Sequence, residues 1–222
     1  MLEVQIAEVR RQIVETGLIL LEKGLVAGSW GNVSMRIDKD SYAITPSGRP
    51  YDLLTEDDIV IVNSRGIKLA GSGLPSSELL LHLSIYAKYP HANAIIHTHS
   101  IYASACAAMH RQIPPLLEDT AQISGGPIRV AKYALAGTKE LADNAVEAMG
   151  TSNAVLLANH GAVSYAKSLD EALIVAEIVE KSAHVYCITA SIGEIFPLPS
   201  NDIKSLRNFY IEHYSSRQRG DE

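Results

Sequence analysis

The sequence predicts a three-layer α/β fold, with a central, mostly antiparallel mixed sheet flanked by helices. Three observations predict it. Apolar residues recur at helical spacing near both ends of the chain, from Leu2 to Lys23 and from Ser168 to about Ile192. Between these helices runs a series of short β-prone segments separated by turn residues. Finally, neither an internal repeat nor a long polar linker divides the 222 residues, so a single domain spanning residues 1–222 is expected.

The elements follow in order. Leu2, Ile6, Val9, Ile13, Leu20 and Leu21 line one face of the first helix, and Gly24 stops it. Val33, Met35 and Ile37 alternate with polar residues, Tyr42 to Thr45 is β-prone, and Ile59–Val62 and Ile67–Leu69 flank the hairpin turn Asn63-Ser64-Arg65-Gly66. Pro75-Ser76-Ser77 opens a helix running through Glu78 to about Lys88, ended by Pro90. Ala94 to His99 reads as a strand, and Ser100 caps a helix to about Arg111. An irregular, Pro- and Gly-bearing stretch occupies Ile113 to Pro127. Thr138 starts a helix that Gly150 ends, Ala154 to Ala158 forms an apolar strand, and Ser168 with Glu171 forms a capping box for the long final helix. A short helix from about Asp202 to Tyr214 sits in a C-terminal tail, about 197–222, expected to be able to close over the site.

Composition narrows the function. An apolar content of 47% with 20% charged residues is ordinary for a globular core, and a net charge of −6 argues against a nucleic-acid binder. Cys106 and Cys187 sit in apolar helical patterns without metal-ligand spacing, and read as free thiols in a reducing cytoplasm. The start of the chain lacks a basic region followed by an apolar stretch, and no window approaches about 18 uninterrupted apolar residues. A cytoplasmic protein without membrane contact is expected.

The chemistry-bearing residues stand at strand ends. In Ile95-Ile96-His97-Thr98-His99-Ser100, a strand's period of two puts His97 and His99 on one face, where two imidazoles can grip one transition metal. His160 ends the apolar strand Ala154–Ala158 as the other two end theirs, and three imidazoles with an open fourth position describe a catalytic zinc site. Glu78, at the head of its helix, is favourably placed there by about 0.3–1 kcal/mol in any case. Ser76 and Ser77 beside it supply donors where a helix best holds an anion. Two further loops, Ser29-Trp30-Gly31-Asn32 and Thr45-Pro46-Ser47-Gly48, carry similar donors. Together the three loops suggest a phosphate cradle without lysine.

Gly31-Asn32-Val33-Ser34, Ile44-Thr45-Pro46-Ser47-Gly48, Pro75-Ser76-Ser77-Glu78, His97-Thr98-His99 and Asn159-His160-Gly161, in this order, resemble the class II aldolase and adducin family. Within it the chain is most similar to ketose 1-phosphate aldolases of the fuculose type, from the first helix to the long helix near Ile192. The resemblance implies the class II aldolase fold, a homotetramer with sites at subunit interfaces, and one Zn²⁺ per subunit held by His97, His99 and His160. It implies that Glu78 coordinates the resting metal and then swings away as acid/base. It also implies phosphate binding by Ser29, Asn32, Ser47, Gly48, Ser76 and Ser77. Related 4-epimerases carry Asp where this chain has Glu78, which favours an aldolase. The implied reaction is reversible retro-aldol cleavage of a phosphorylated sugar to dihydroxyacetone phosphate and an aldehyde, through a metal-stabilised enediolate. For proton transfer the pKa of Glu78 must rise, which burial favours.

Two departures bear on the substrate. Where fuculose-type relatives place a tyrosine just beyond an Ile-Pro pair, Ile113-Pro114-Pro115-Leu116-Leu117 leads here to Glu118 and Asp119. Ala136 replaces a bulky aromatic near the aldehyde end. Glu118 becomes the candidate replacement proton carrier, and the roomier pocket suits 5-deoxyribulose or 5-methylthioribulose 1-phosphate over fuculose 1-phosphate. The alternatives on the same fold are a methylthioribulose 1-phosphate dehydratase, a sugar-acid phosphate decarboxylase, and a non-catalytic adducin-like binding domain. His82, His91, His110, His184 and His213 lack partner spacing and read as surface or helix-face residues. The tail tyrosines Tyr210 and Tyr214 read either as a lid or as a packed helix face.

Overall fold

A computed structural model describes residues 2–214. Strands β1 (Asn32–Arg36), β2 (Ser41–Ile44), β3 (Val60–Asn63), β4 (Lys68–Ala70), β5 (Ala94–Thr98), β6 (Val130–Ala131), β7 (Ala154–Leu157) and β8 (Gly161–Ala166) form one eight-stranded sheet in the order β4-β3-β2-β1-β5-β8-β7-β6. Every pairing is antiparallel except β6 with β7, so the sheet is mixed as expected.

Helices cover both faces. Against one face pack α2 (Leu79–Lys88) and α5 (Lys139–Met149), burying Leu81, Ile85, Leu141 and Met149 on Tyr42, Ile44, Ile95, Val155 and Leu157. Against the other pack α1 (Leu2–Glu22), α3 (Ile101–Ala108) and α6 (Leu169–Ile192), meeting Val33, Ala43, Ile96, Ala154 and Leu156. Successive residues therefore enter opposite cores. Ile95 and Ile96 are both fully buried, one on each side, and each burial is worth about 1.5–3 kcal/mol. This is why β3, β5 and β7 read as continuous apolar runs.

Local chemistry ends the elements where expected. After α1 the Leu25 N–H reaches the Leu20 carbonyl (2.9 Å) and the Gly24 N–H that of Leu21 (3.1 Å), a glycine-terminated helix end. Asn63 Oδ1 accepts from Arg65 N and Ile67 N to build the β3–β4 turn. Thr138 Oγ1 caps α5 by accepting from Leu141 N, and Ser168 Oγ caps α6 by accepting from Glu171 N. The return bond of the expected capping box is displaced by one residue, since Glu171 Oε2 accepts from Lys167 N.

Three elements lie outside the sequence expectation. A helix, α4 (Glu118–Ser124), and the two-residue β6 occupy and follow the Pro- and Gly-bearing stretch, both too short to show a period. β8 follows β7 after three residues and is buried throughout, so it carries no polar alternation. Beyond α6, α7 (Ser200–Phe209) packs on α4 through Arg207, whose Nη1 donates to the Gln122 carbonyl at 2.7 Å. Tyr210 is buried in that same core, and the part of the expected closing tail beyond residue 214 lies outside the described residues.

Candidate metal centre and phosphate cradle

Sheet register assembles the site. Asn32 at the start of β1 lies directly opposite His97 near the end of β5, and directly opposed residues share a face. Thr98 pairs with Ala162 on β8, and Leu157 pairs with Gly161 across the β7–β8 turn, so residues 158–160 emerge at the same sheet end. Asn159 takes the left-handed conformation in that turn (φ 56°), which asparagine tolerates better than most residues, and His160 follows it. Glu78 sits immediately before α2, at its N-cap position rather than within the first turn.

Four side chains converge. Glu78 Oε2 lies 3.1 Å from His97 Nε2, Glu78 Oε1 lies 3.5 Å from His160 Nε2, and His99 Nε2 lies 2.9 Å from His97 Nε2. One ligand atom from each of these residues falls within 4.8 Å of the others. His97 Nδ1 donates to the Ala162 carbonyl at 2.9 Å, which fixes the ring and leaves Nε2 free to ligate.

Electrostatics fit a cation. Burial, then the charge of His97, pushes His99 down to about 3, and the same two causes push His160 down to about 4, so both offer lone pairs at neutral pH. Burial alone would lower His97, but the facing Glu78 carboxylate reverses that and raises it. Burial alone would raise Glu78, yet His97 and then His160 hold it well below the ordinary carboxylate range. In this position the expected rise in the Glu78 pKa is absent: against the histidines the carboxylate is held ionised, and burial raises it only where those charges are away. Its Oε1 is buried without a hydrogen-bond partner, an orphan that a bound cation would satisfy. Three imidazoles and one carboxylate suit a divalent transition metal.

Beside this centre, Ser29, Asn32, Ser47, Gly48, Ser76 and Ser77 line one cavity with Glu78, His99 and His160. Its two loops are stitched together by Ser47 N to the Leu74 carbonyl (2.9 Å) and Ser76 N to the Thr45 carbonyl (3.1 Å). Ser76 Oγ in turn accepts from Glu78 N. Gly31 lets the third loop approach β5: its φ is +86°, and a Cβ there would stand 2.6 Å from the His97 carbonyl oxygen. Gly31→Ala is expected to destabilise the fold by about 1–3 kcal/mol, read as a lower denaturant midpoint at an unchanged slope. A midpoint equal to that of the parent protein would show that the loop yields freely.

Other expected residues are placed differently. Glu118 is exposed at the head of α4 and lines a separate groove with Leu198, Asp202 and Phe209; within one subunit it does not join the cluster. His91, His110, His184 and His213 are exposed as expected. His82 is not. It lies on a helix face, but one fully buried beneath the site and hydrogen-bonded to Asn32 and Ser34, which corrects the surface part of its reading. Spacing held the signal, because His82 lies four residues after Glu78 and so on the same face of α2.

An α/β fold that brings three imidazoles and a carboxylate together at one end of its sheet, beside a serine-lined cavity, is a metal-enzyme scaffold. The chain belongs to the class II aldolase and adducin family, whose N-terminal domain model matches residues 11–187. It is 40% identical over 198 residues to a 5-deoxy-D-ribulose 1-phosphate aldolase of Bacillus thuringiensis serovar kurstaki, covering 89% of this chain and 92% of that protein. It is 38% identical to the L-fuculose phosphate aldolase of Escherichia coli K12, covering 86% and 88%, and 34% identical to a 5-methylthioribulose-1-phosphate/5-deoxyribulose-1-phosphate aldolase of Rhodospirillum rubrum, covering 88% and 87%. A solved L-fuculose 1-phosphate aldolase superimposes with a TM-score of 0.89 at 38% identity, covering 92% of this chain and 96% of that one. The chain is a metal-dependent aldehyde lyase, a class II aldolase of the fuculose and 5-deoxyribulose phosphate aldolase type. Among the described residues no helix is long and apolar enough to cross a membrane.

Proposed function

We propose that this aldolase uses Zn²⁺ to cleave a ketose 1-phosphate whose departing aldehyde has an apolar end, of the 5-deoxyribulose or 5-methylthioribulose 1-phosphate type, releasing dihydroxyacetone phosphate. One observation carries the substrate reading. Adjoining the serine-lined cavity, and sharing Trp30, His99, Ala136 and His160 with it, is an open cleft of about 600 Å³ otherwise lined by Ala27, Tyr133, Ala134, Leu135 and Asn159. Its side chains beyond the metal ligands are apolar except for Asn159, the Tyr133 hydroxyl and the Trp30 indole N–H, a surface better suited to a methyl or thiomethyl group than to a hydroxyl-bearing carbon.

In this reading the hydroxyls of Ser29, Ser47, Ser76 and Ser77 and the backbone at Gly48 hold the phosphate, with the start of α2 behind them. His97, His99 and His160 hold the metal, which when bound supplies a Lewis acid for the sugar's ketone oxygen. Glu78 moves off the histidines and carries the proton at C3, the carbon that loses its bond to C4. Leaving them removes the charges that hold its pKa down, while its burial, which raises the pKa, remains.

A homotetramer with sites at subunit interfaces belongs to the same reading. Trp30, Tyr133 and Leu135 at the cleft mouth are 67%, 55% and 68% exposed, an apolar rim that a neighbouring copy would cover. Glu118 would then act as proton carrier for the aldehyde oxygen from that neighbour. The cytoplasm is the proposed location.

The zinc-loaded protein is expected to cleave 5-deoxyribulose 1-phosphate with a kcat/KM at least about tenfold above that for fuculose 1-phosphate, since a mismatched polar group in an apolar pocket costs about 1–3 kcal/mol. The reverse ratio would overturn the substrate reading. Product analysis checks the reaction on 5-methylthioribulose 1-phosphate: dihydroxyacetone phosphate plus methylthioacetaldehyde marks the aldolase, whereas an intact-chain diketone marks a dehydratase.

A further inference from the structure

His82 is a buried titratable group beside the metal centre that the reaction above does not use. It closes a chain of side chains running from β1 and α2 to the metal centre. The Tyr86 hydroxyl is 2.8 Å from Ser34 Oγ, and Ser34 Oγ is 2.6 Å from His82 Nδ1. His82 Nε2 hydrogen-bonds Asn32 Oδ1, and Asn32 Nδ2 is 2.9 Å from Glu78 Oε2. Asn32, Ser34, His82, Tyr86 and Glu78 are all buried, so water cannot substitute freely for any of these bonds.

The direction of the chain follows from its end. An ionised carboxylate only accepts hydrogen bonds, so Asn32 turns its NH₂ to Glu78 and its carbonyl to His82. That carbonyl needs a donor, so the His82 proton sits on Nε2 and Nδ1 accepts. Ser34 therefore donates to Nδ1, and Tyr86 donates to Ser34. Each group then has a partner, and all bonds share one polarity. Burial, then the charge of His97, pushes His82 down to about 3, so the ring is neutral and carries one proton. Burial pushes the Tyr86 phenol up, which keeps its proton. The far end is anchored by packing: Tyr86 stacks on Tyr42 with centroids 4.7 Å apart, and the Arg36 guanidinium lies 4.9 Å from its ring centroid.

We infer that His82 is a positioning residue for Glu78: as the Nε2–H tautomer set by Ser34 and Tyr86, it locks the Asn32 amide so that Asn32 holds Glu78 as an oriented carboxylate against the three histidines. Without the Nε2–H donor, the Asn32 amide is free to turn its carbonyl toward the carboxylate, and Glu78 loses both its donor and its aim. The effect on kcat rests on the aldolase reading and the role of Glu78 in it; the effect on metal binding does not.

Two measurements test this. Long-range ¹H–¹⁵N spectra of the wild-type protein are expected to show His82 as the neutral Nε2–H tautomer at neutral pH; an Nδ1–H tautomer or an imidazolium would overturn the inference. His82→Leu removes both ring nitrogens, while His82→Gln keeps an NH₂ for Asn32 and a carbonyl for Ser34. His82→Leu is expected to bind Zn²⁺ about 10–100-fold more weakly in competition with a chromophoric chelator, and to lose kcat by a similar factor with KM nearly unchanged. His82→Gln should recover most of both. If His82 only filled space, the apolar Leu would serve as well as Gln, so wild-type zinc affinity and kcat in His82→Leu refute the inference. Should His82→Leu fail to fold, Ser34→Ala and Tyr86→Phe weaken the chain from its far end, and the wild-type tautomer decides independently. If the tautomer and zinc results hold while wild type cleaves no ketose 1-phosphate, positioning stands and the substrate reading falls. If wild type cleaves and both His82 variants match it, the reverse holds.

Discussion

Glu78→Gln will keep its metal and lose turnover, with kcat falling about 10²–10⁴-fold, the range that a positioned acid/base contributes. The amide has the size of the carboxylate and still offers an oxygen, so the buried pocket keeps its shape. Three histidines remain, which is the protein ligand set of many catalytic zinc sites. What the amide cannot do is carry a proton. It also loses the charge that faces His97 at 3.1 Å and raises that imidazole, so the His97 lone pair becomes more available to a metal. With zinc in excess, metal content of the variant should therefore stay near one per subunit, even at an affinity lowered as in His82→Leu, while product formation collapses. Full activity would sink the assigned role of Glu78; loss of metal together with activity would move Glu78 from proton carrier to essential ligand.

How much of this was legible in the sequence depends on what each residue faces. His97-Thr98-His99 and His160 were legible because they break apolar runs at strand ends, where an imidazole has no packing reason to be. The serine loops were legible because turn residues beside a helix start have few side chains to choose from. His82 was not, because its four-residue spacing from Glu78 is the one local mark it carries in a leucine-rich helix, and its partners lie 48 and 50 residues away on β1. β1 itself misleads: Val33 and Met35 alternate with Asn32, Ser34 and Arg36, the pattern of a strand with one wet face. Instead α2 covers that polar face, and Asn32 and Ser34 are buried in its hydrogen-bond chain. β8 was hidden for the opposite reason, since burial on both faces removes alternation. Glu118 marks the limit of reading one chain. Its expected role needs a second subunit, and within one subunit it stands on another face.

The histidines themselves are expected to separate metal binding from folding. His97→Ala and His99→Ala should both abolish stoichiometric zinc binding, and with it turnover, because each removes one of three imidazoles. Their effects on the metal-free fold should differ. His97 is fully buried, and its Nδ1–H is bonded to the Ala162 carbonyl on β8. Truncating it empties a packed site, removes that bond, and strips the buried Glu78 carboxylate of the partner that lowers its pKa most, for a loss of about 2–5 kcal/mol. His99 is only partly buried. Burial and the adjacent His97 hold it neutral near 3, so it gives the metal-free protein no stabilising charge, and His99→Ala should cost less than about 1.5 kcal/mol. Urea midpoints in the presence of a chelator would measure this difference. Adding zinc at about 100 times its Kd should raise wild-type stability by about 2.7 kcal/mol and leave both variants unmoved. If His97→Ala unfolded at the wild-type midpoint in chelator, the imidazole would be a ligand alone, and the stability of that sheet end would rest on the backbone ladder between β5 and β8.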